Sequence, residues 1–145
     1  HLQQPVHGFD SFQGLPIAWH NLPAGSYSTQ GQVPVLGEEI TLHEGWYQDT
    51  LPGFCAANRQ PIRLLNIDCD LYESTKTVLE LLGPQLQVGS IVIFDELIMN
   101  EHWEQDEFRA WSEYVEQTGI EYQVRAASIL TSQVVVEVTG LNTRP

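Results

Sequence analysis

Two apolar runs, Leu64-Leu65-Asn66-Ile67 and Ile91-Val92-Ile93-Phe94, each stop abruptly at acids, and a helical pattern lies between them. Each run has the length and composition of a fully buried strand. Val78, Leu79, Leu82 and Leu86 recur at helical spacing within Ser74 to Leu86, and Gly83-Pro84 loosens the last turn ahead of Gly89. Strand, helix and strand in that order predict a right-handed crossover joining two parallel strands. Parallel strands lie about 4.8 Å apart, so their carboxyl ends would bring Asp68, Asp70, Asp95 and Glu96 together, at the edge where open α/β sheets bind ligands. Four such carboxylates repel one another unless some take up protons or a cation sits among them. Oxygen donors alone suit Mg²⁺, Ca²⁺ or Mn²⁺. The plainer alternative is a set of strand-end acids facing water.

The rest of the chain constrains the setting. Its 145 residues suffice for one domain, expected over residues 1–140 with a short tail at 141–145. Six Lys+Arg against 19 Asp+Glu leave a formal charge of −13, which disfavours nucleic acid or an anionic membrane as partner. Cys55 and Cys69 have no metal-binding spacing and read as reduced thiols, which points to the cytoplasm. No apolar run approaches the roughly 18 residues of a membrane span. The chain opens on His1 rather than Met, leaving its true N-terminus open.

Before the crossover, Pro5 to Phe9 reads as a strand ending in Asp10, and Gly14 and Pro16 mark a tight loop. Trp19 to Gly37 carries Gly25, Gly31, Pro34 and Gly37 and little periodicity, the pattern of a binding loop or lid. Glu39 to Glu44 alternates as a second strand, followed by a helix over Asp49 to Asn58. After the crossover comes a helix over Glu104 to Thr118, stopped by Gly119, then a hairpin of Tyr122 to Ala126 with Gln133 to Val138. Gly140 to Pro145 reads as a frayed tail. The fold class is α/β: a doubly wound, mostly parallel sheet ending in an antiparallel hairpin.

Four blocks, in order, are more specific than this pattern: Phe9-Asp10-Ser11-Phe12-Gln13-Gly14-Leu15-Pro16, Gly45-Trp46-Tyr47-Gln48-Asp49-Thr50-Leu51-Pro52, Ile67-Asp68-Cys69-Asp70-Leu71-Tyr72-Glu73-Ser74-Thr75, and Ile93-Phe94-Asp95-Glu96. Together they resemble the macrocin O-methyltransferase family, class I enzymes that use S-adenosylmethionine to methylate sugar hydroxyls of natural products. The resemblance runs from Val6 to about Val138. It implies cofactor binding by Asp10, Ser11, Gly45, Trp46 and Asp68, with Asp10 accepting both ribose hydroxyls and Gly45-Trp46 covering the adenine. It implies a metal site of Asp68, Asp95 and Glu96 for Mg²⁺ or another divalent cation, although many members carry an aspartate where this chain has Glu96. Asp70 matches the family's general base, and Tyr72 and Ser74 read as packing and capping the crossover helix.

One departure from the family is large. Its domain begins with a strand and glycine-rich turn that meet the cofactor's methionine portion, and this chain starts one strand later. The missing strand would lie between those ending at Asp10 and Asp68, which makes the chain a truncated form of the fold and partnering with another copy an expectation. Three other readings stay open at this stage: a non-catalytic interaction module, a glycosyltransferase that holds its metal by Asp68-x-Asp70, and His102 in place of Asp70 as base. A haloacid-dehalogenase-type phosphatase fits poorly, because Leu71 and Tyr72 follow the Asp-x-Asp.

Overall fold

A computed structural model describes residues 5–141. They gather into two compact units divided between Phe54 and Cys55. The division falls inside a helix, α1 (Tyr47–Ala57), which contains both Pro52 and Gly53.

The first unit is built on two short parallel strands, β1 (Val6–Asp10) and β2 (Ile40–Glu44), in register from Val6 opposite Ile40 to Asp10 opposite Glu44. Both therefore end in acid at the same edge. The long connection between them folds back on itself: Leu15 N–H donates to the Ser26 carbonyl at 2.9 Å and Gly31 N–H to the Phe12 carbonyl at 3.0 Å. Gly14 is required there, since its φ is +79° and a Cβ would lie 2.2 Å from the Ser26 carbonyl oxygen. Further along, Val35 is fully exposed, in keeping with the loop expected over Trp19 to Gly37.

The second unit carries a four-stranded sheet in the order β3 (Ile62–Ile67), β4 (Leu86–Phe94), β6 (Val134–Leu141), β5 (Ile120–Ala127). β3 and β4 are parallel, joined by α2 (Tyr72–Leu82), while β4–β6 and β6–β5 are antiparallel, as the crossover and hairpin patterns predict. Leu65, Ile67, Val92, Phe94, Val136 and Val138 are among the buried strand residues, and Trp111 of α3 (Glu107–Thr118) is 1% exposed. α2 and α3 meet through the Tyr72 hydroxyl, which donates to Glu113 Oε2 at 2.6 Å, and through Gly83, whose missing Cβ leaves room for the Tyr114 ring.

Several boundaries differ from the sequence reading. Leu86 begins β4 rather than ending the helix, and Gly89, expected in a turn, lies inside β4 at φ +90°. The register explains this: Ile62 faces Leu86 but Leu64 faces Ile91, so β4 bulges between these pairs, and the Ser90 hydroxyl pins the bulge by donating to the Ile62 carbonyl and accepting Gln87 N–H. α2 starts at Tyr72 with Leu71 as its cap residue and no side-chain cap, so Ser74 sits inside the first turn instead of capping it. α3 starts at Glu107, after a single 3₁₀ turn at Trp103–Gln105. Gly140 and Leu141, expected to fray, pair with β5, and residues 142–145 lie outside the described part. Among the described residues no helix is long and apolar enough to cross a membrane.

Candidate active site

β3 and β4 end side by side, and their hydrogen bonding continues one residue further: Asp95 N–H donates to the Ile67 carbonyl at 3.0 Å. The chains then diverge into two acidic tips. Carboxylate oxygens of Asp68, Asp70 and Glu96 all lie within 4.8 Å of one another. The sequence-derived trio was Asp68, Asp95 and Glu96, so the convergent set differs by one residue. Asp95 Oδ1 instead accepts a hydrogen bond from Gln133 Nε2, although its charge still reaches Glu96.

Asp70 joins the set because the backbone turns sharply at it. Leu71 N–H reaches back to the Cys69 carbonyl at 2.5 Å, and Asp70, at the centre of this three-residue turn, has φ +59°. Left-handed backbone is uncommon outside glycine, with Asp and Asn the usual exceptions. Strain of this kind concentrates where a side chain must be aimed.

The electrostatics are those of crowded like charges. Burial, the facing Asp70 carboxyl, and the charges of Asp95 and Glu107 push Glu96 up to about 8. A hydrogen bond between Glu96 and Asp70 requires a proton on one of them; Glu96 Oε2 is buried without a partner among the described residues. A divalent cation would resolve the repulsion, and the donors fit one. Three oxygens on one ion lie mutually at most about 3.6 Å apart around Mg²⁺ and about 4.3 Å around Ca²⁺, so the side chains would draw in by up to about an ångström to seat one. Asp68 and Glu96 could therefore hold such an ion, with the Asp70 carboxylate beside it.

Sequence reasoning passed over Glu107. It is wholly buried at the start of α3, and its two oxygens accept the backbone N–H groups of Cys69 at 3.2 Å and Glu96 at 3.3 Å. Burial, then the charges of Asp68 and Asp70, push it up to about 7 against the pull of those two N–H donors. An acid in a first helical turn usually faces water, so nothing in its spacing marked it. His102 is exposed in a left-handed loop position, its Nε2 3.7 Å from Glu101.

In the first unit, the other expected residues gather at the acidic edge of β1 and β2. Asp10 is exposed, its Oδ1 accepting Phe12 N–H at 2.6 Å, and Ser11 Oγ accepts Gln13 N–H at 3.1 Å. Gly45 N–H donates to the Asp10 carbonyl at 2.9 Å, which ties the ends of both strands together. Its φ is +140° and a Cβ would meet Thr50 Cγ2 at 2.9 Å. The half-buried Trp46 lends its carbonyl to the N–H groups of Asp49 and Thr50 at the head of α1. Along the same strands His7 Nδ1 lies 3.1 Å from His43 Nε2, and Phe9 stacks on His43 with ring centroids 4.4 Å apart. This contact comes from strand register, not from sequence spacing.

Comparison with known proteins adds an independent line. The sequence pattern of the macrocin-O-methyltransferase (TylF) family matches residues 28–131. The chain is 38% identical to a demethyldecarbamoylnovobiocin O-methyltransferase of Streptomyces niveus, covering 62% of this chain and 40% of that protein. It is 44% identical over 62 residues to a tetracenomycin-C rhamnosyl 4'-O-methyltransferase of Streptomyces olivaceus, covering 43% of this chain and 23% of that one. The chain thus spans a quarter to two fifths of the length of these curated relatives. Among solved structures it resembles the calicheamicin methyltransferase CalS11 (TM-score 0.71, 26% identity, 92% of this chain and 60% of that one). It likewise resembles the O-methyltransferase NovP (TM-score 0.69, 27% identity, 95% and 61%). These neighbours are class I methyltransferases of α/β fold.

Proposed function

Since the chain belongs to the macrocin-O-methyltransferase family, we propose that it is the core of an enzyme that methylates a hydroxyl of a sugar or natural product, using S-adenosylmethionine and a divalent cation. The observation that carries this reading is the convergence of Asp68, Asp70 and Glu96 at the tips of two adjoining parallel strands. The related proteins named above are methyltransferases, one of them named for a rhamnosyl-bearing natural product, and a fold neighbour, MycE, was solved with Mg and S-adenosylhomocysteine.

Methyl transfer from a sulfonium is a displacement at carbon in which the attacking alcohol sheds a proton, and alcohols are poor nucleophiles at neutral pH. A bound divalent cation would supply acidification and aim of the hydroxyl. Asp68 and Glu96 are the residues to hold it. Asp70, set opposite Glu96 by its left-handed turn, accepts the proton. Asp95 contributes negative charge from its place beside Gln133. Asp10 receives the cofactor ribose: Oδ1 keeps a lone pair beyond its bond to Phe12, and Oδ2 has two. Ser11, Gly45 and Trp46 line the same edge. The acidic site favours the cationic cofactor over its neutral product. Reduced Cys55 and Cys69 accord with a cytoplasmic setting.

Calorimetric titration with S-adenosylmethionine, with and without Mg²⁺, tests the proposal on this chain and on a version extended at its N-terminus. Binding by either supports it, and binding by neither overturns it.

A further inference from the structure

We propose that Glu107 is a positioning residue for the cation site: its carboxylate brackets the two acidic tips and sets the spacing between the Asp68–Asp70 turn and Glu96. This rests on the metal-assisted reading above and extends it to a residue that does not touch the ion or the substrate.

The geometry carries the inference. Glu107 lies on a third element, 38 residues from Cys69 and 11 from Glu96, yet it accepts one backbone N–H from each. Cys69 stands between Asp68 and Asp70, so one oxygen fixes the backbone of both, while the other fixes the backbone of Glu96. A rigid carboxylate that accepts from both tips thus restrains their separation. The residue is 0% exposed and no cationic side chain pairs with it among the described residues. Burying a carboxylate costs several kcal/mol, offset here by two charge-assisted hydrogen bonds and by its place in the first turn of α3, where the helix dipole favours an anion. Leucine would fill the same space without that cost, but would leave both N–H groups buried and unpaired and the two tips free to separate.

The variant of choice is Glu107→Gln, nearly isosteric. Its amide oxygen can accept one of the N–H groups, whereas its NH₂ opposes the other, donor against donor, so one tip is released. Calorimetric titration of the full chain with Mn²⁺ is expected to show affinity falling about tenfold or more, the range for groups that orient metal ligands. The melting temperature of the metal-free protein stays within a few degrees, and S-adenosylmethionine affinity without metal is unchanged. Mn²⁺ affinity within twofold of the unaltered protein overturns the inference while leaving the metal reading intact. Absence of Mn²⁺ binding by the unaltered protein overturns both. Should Glu107→Gln fail to fold, hydrogen exchange on the unaltered protein decides: the Cys69 and Glu96 amides are expected to be protected like the core of β4, and exchange at loop rates refutes the bracket.

Discussion

Asp68, Asp70, Asp95 and Glu96 carry like charges but do unlike work, and single substitutions separate them. Asp68→Ala should abolish metal-dependent turnover with cofactor affinity nearly intact, read by activity and by calorimetry; loss of cofactor binding would give Asp68 a different role. Asp70→Asn should lower kcat at least a hundredfold, the usual worth of a positioned base, with KM little changed. Asp95→Asn tests whether Asp95 joins Asp68 and Glu96 on the ion. With Asp95 held by Gln133, Mn²⁺ affinity should drop less than about threefold; a loss as large as that of Glu96→Gln would mean that Asp95 turns from Gln133 to the ion, as the family pattern implies. That the tips of β3 and β4 would be acidic was legible from composition alone. Which acids converge was not, because it depends on the three-residue turn at Asp70 and on a side-chain contact 38 residues away in the sequence.

Among the elements, strands and helices were readable wherever burial imposed a period. β3, α2, α3 and β6 follow their apolar spacing, whereas β5 is exposed at every residue after Ile120. The failures have local causes. Leu86 satisfies a helical spacing and a strand start equally, and Ser90, whose hydroxyl decides in favour of the bulged strand, looks like an ordinary loop residue. Glu107 stayed unseen because hydropathy assigns every acid to water. Two glycines in helical surroundings give a paired test of packing. Gly83→Ala would drive a Cβ to 2.3 Å from the Tyr114 hydroxyl oxygen and should destabilise by about 1–3 kcal/mol, whereas Gly53→Ala, with open space around its Cβ, should stabilise α1 by about 0.5–1 kcal/mol. Denaturant unfolding of both variants checks the contrast.

For the whole molecule, the formal charge of −13 and the raised acids of the site predict a stability that depends on pH and on divalent ions. Glu96 and Glu107 titrate higher in the folded chain, at about 8 and about 7, than in the unfolded one near 4.5. The folded state therefore binds more protons across that interval. The stabilisation they give is complete below about 4.5 and is lost as pH rises through 7 to 8. In EDTA the melting temperature should fall between pH 5.5 and 8.5, and Mg²⁺ should restore it at the higher pH more than NaCl of equal ionic strength does. Equal restoration by both salts would reduce the effect to general screening.

The most direct measurement is an anomalous difference map from crystals of the chain grown with Mn²⁺. A single strong peak about 2.1–2.6 Å from oxygens of both Asp68 and Glu96 is the result expected. A well-ordered site with these two carboxylates free of metal, or metal bound only elsewhere on the surface, contradicts the account.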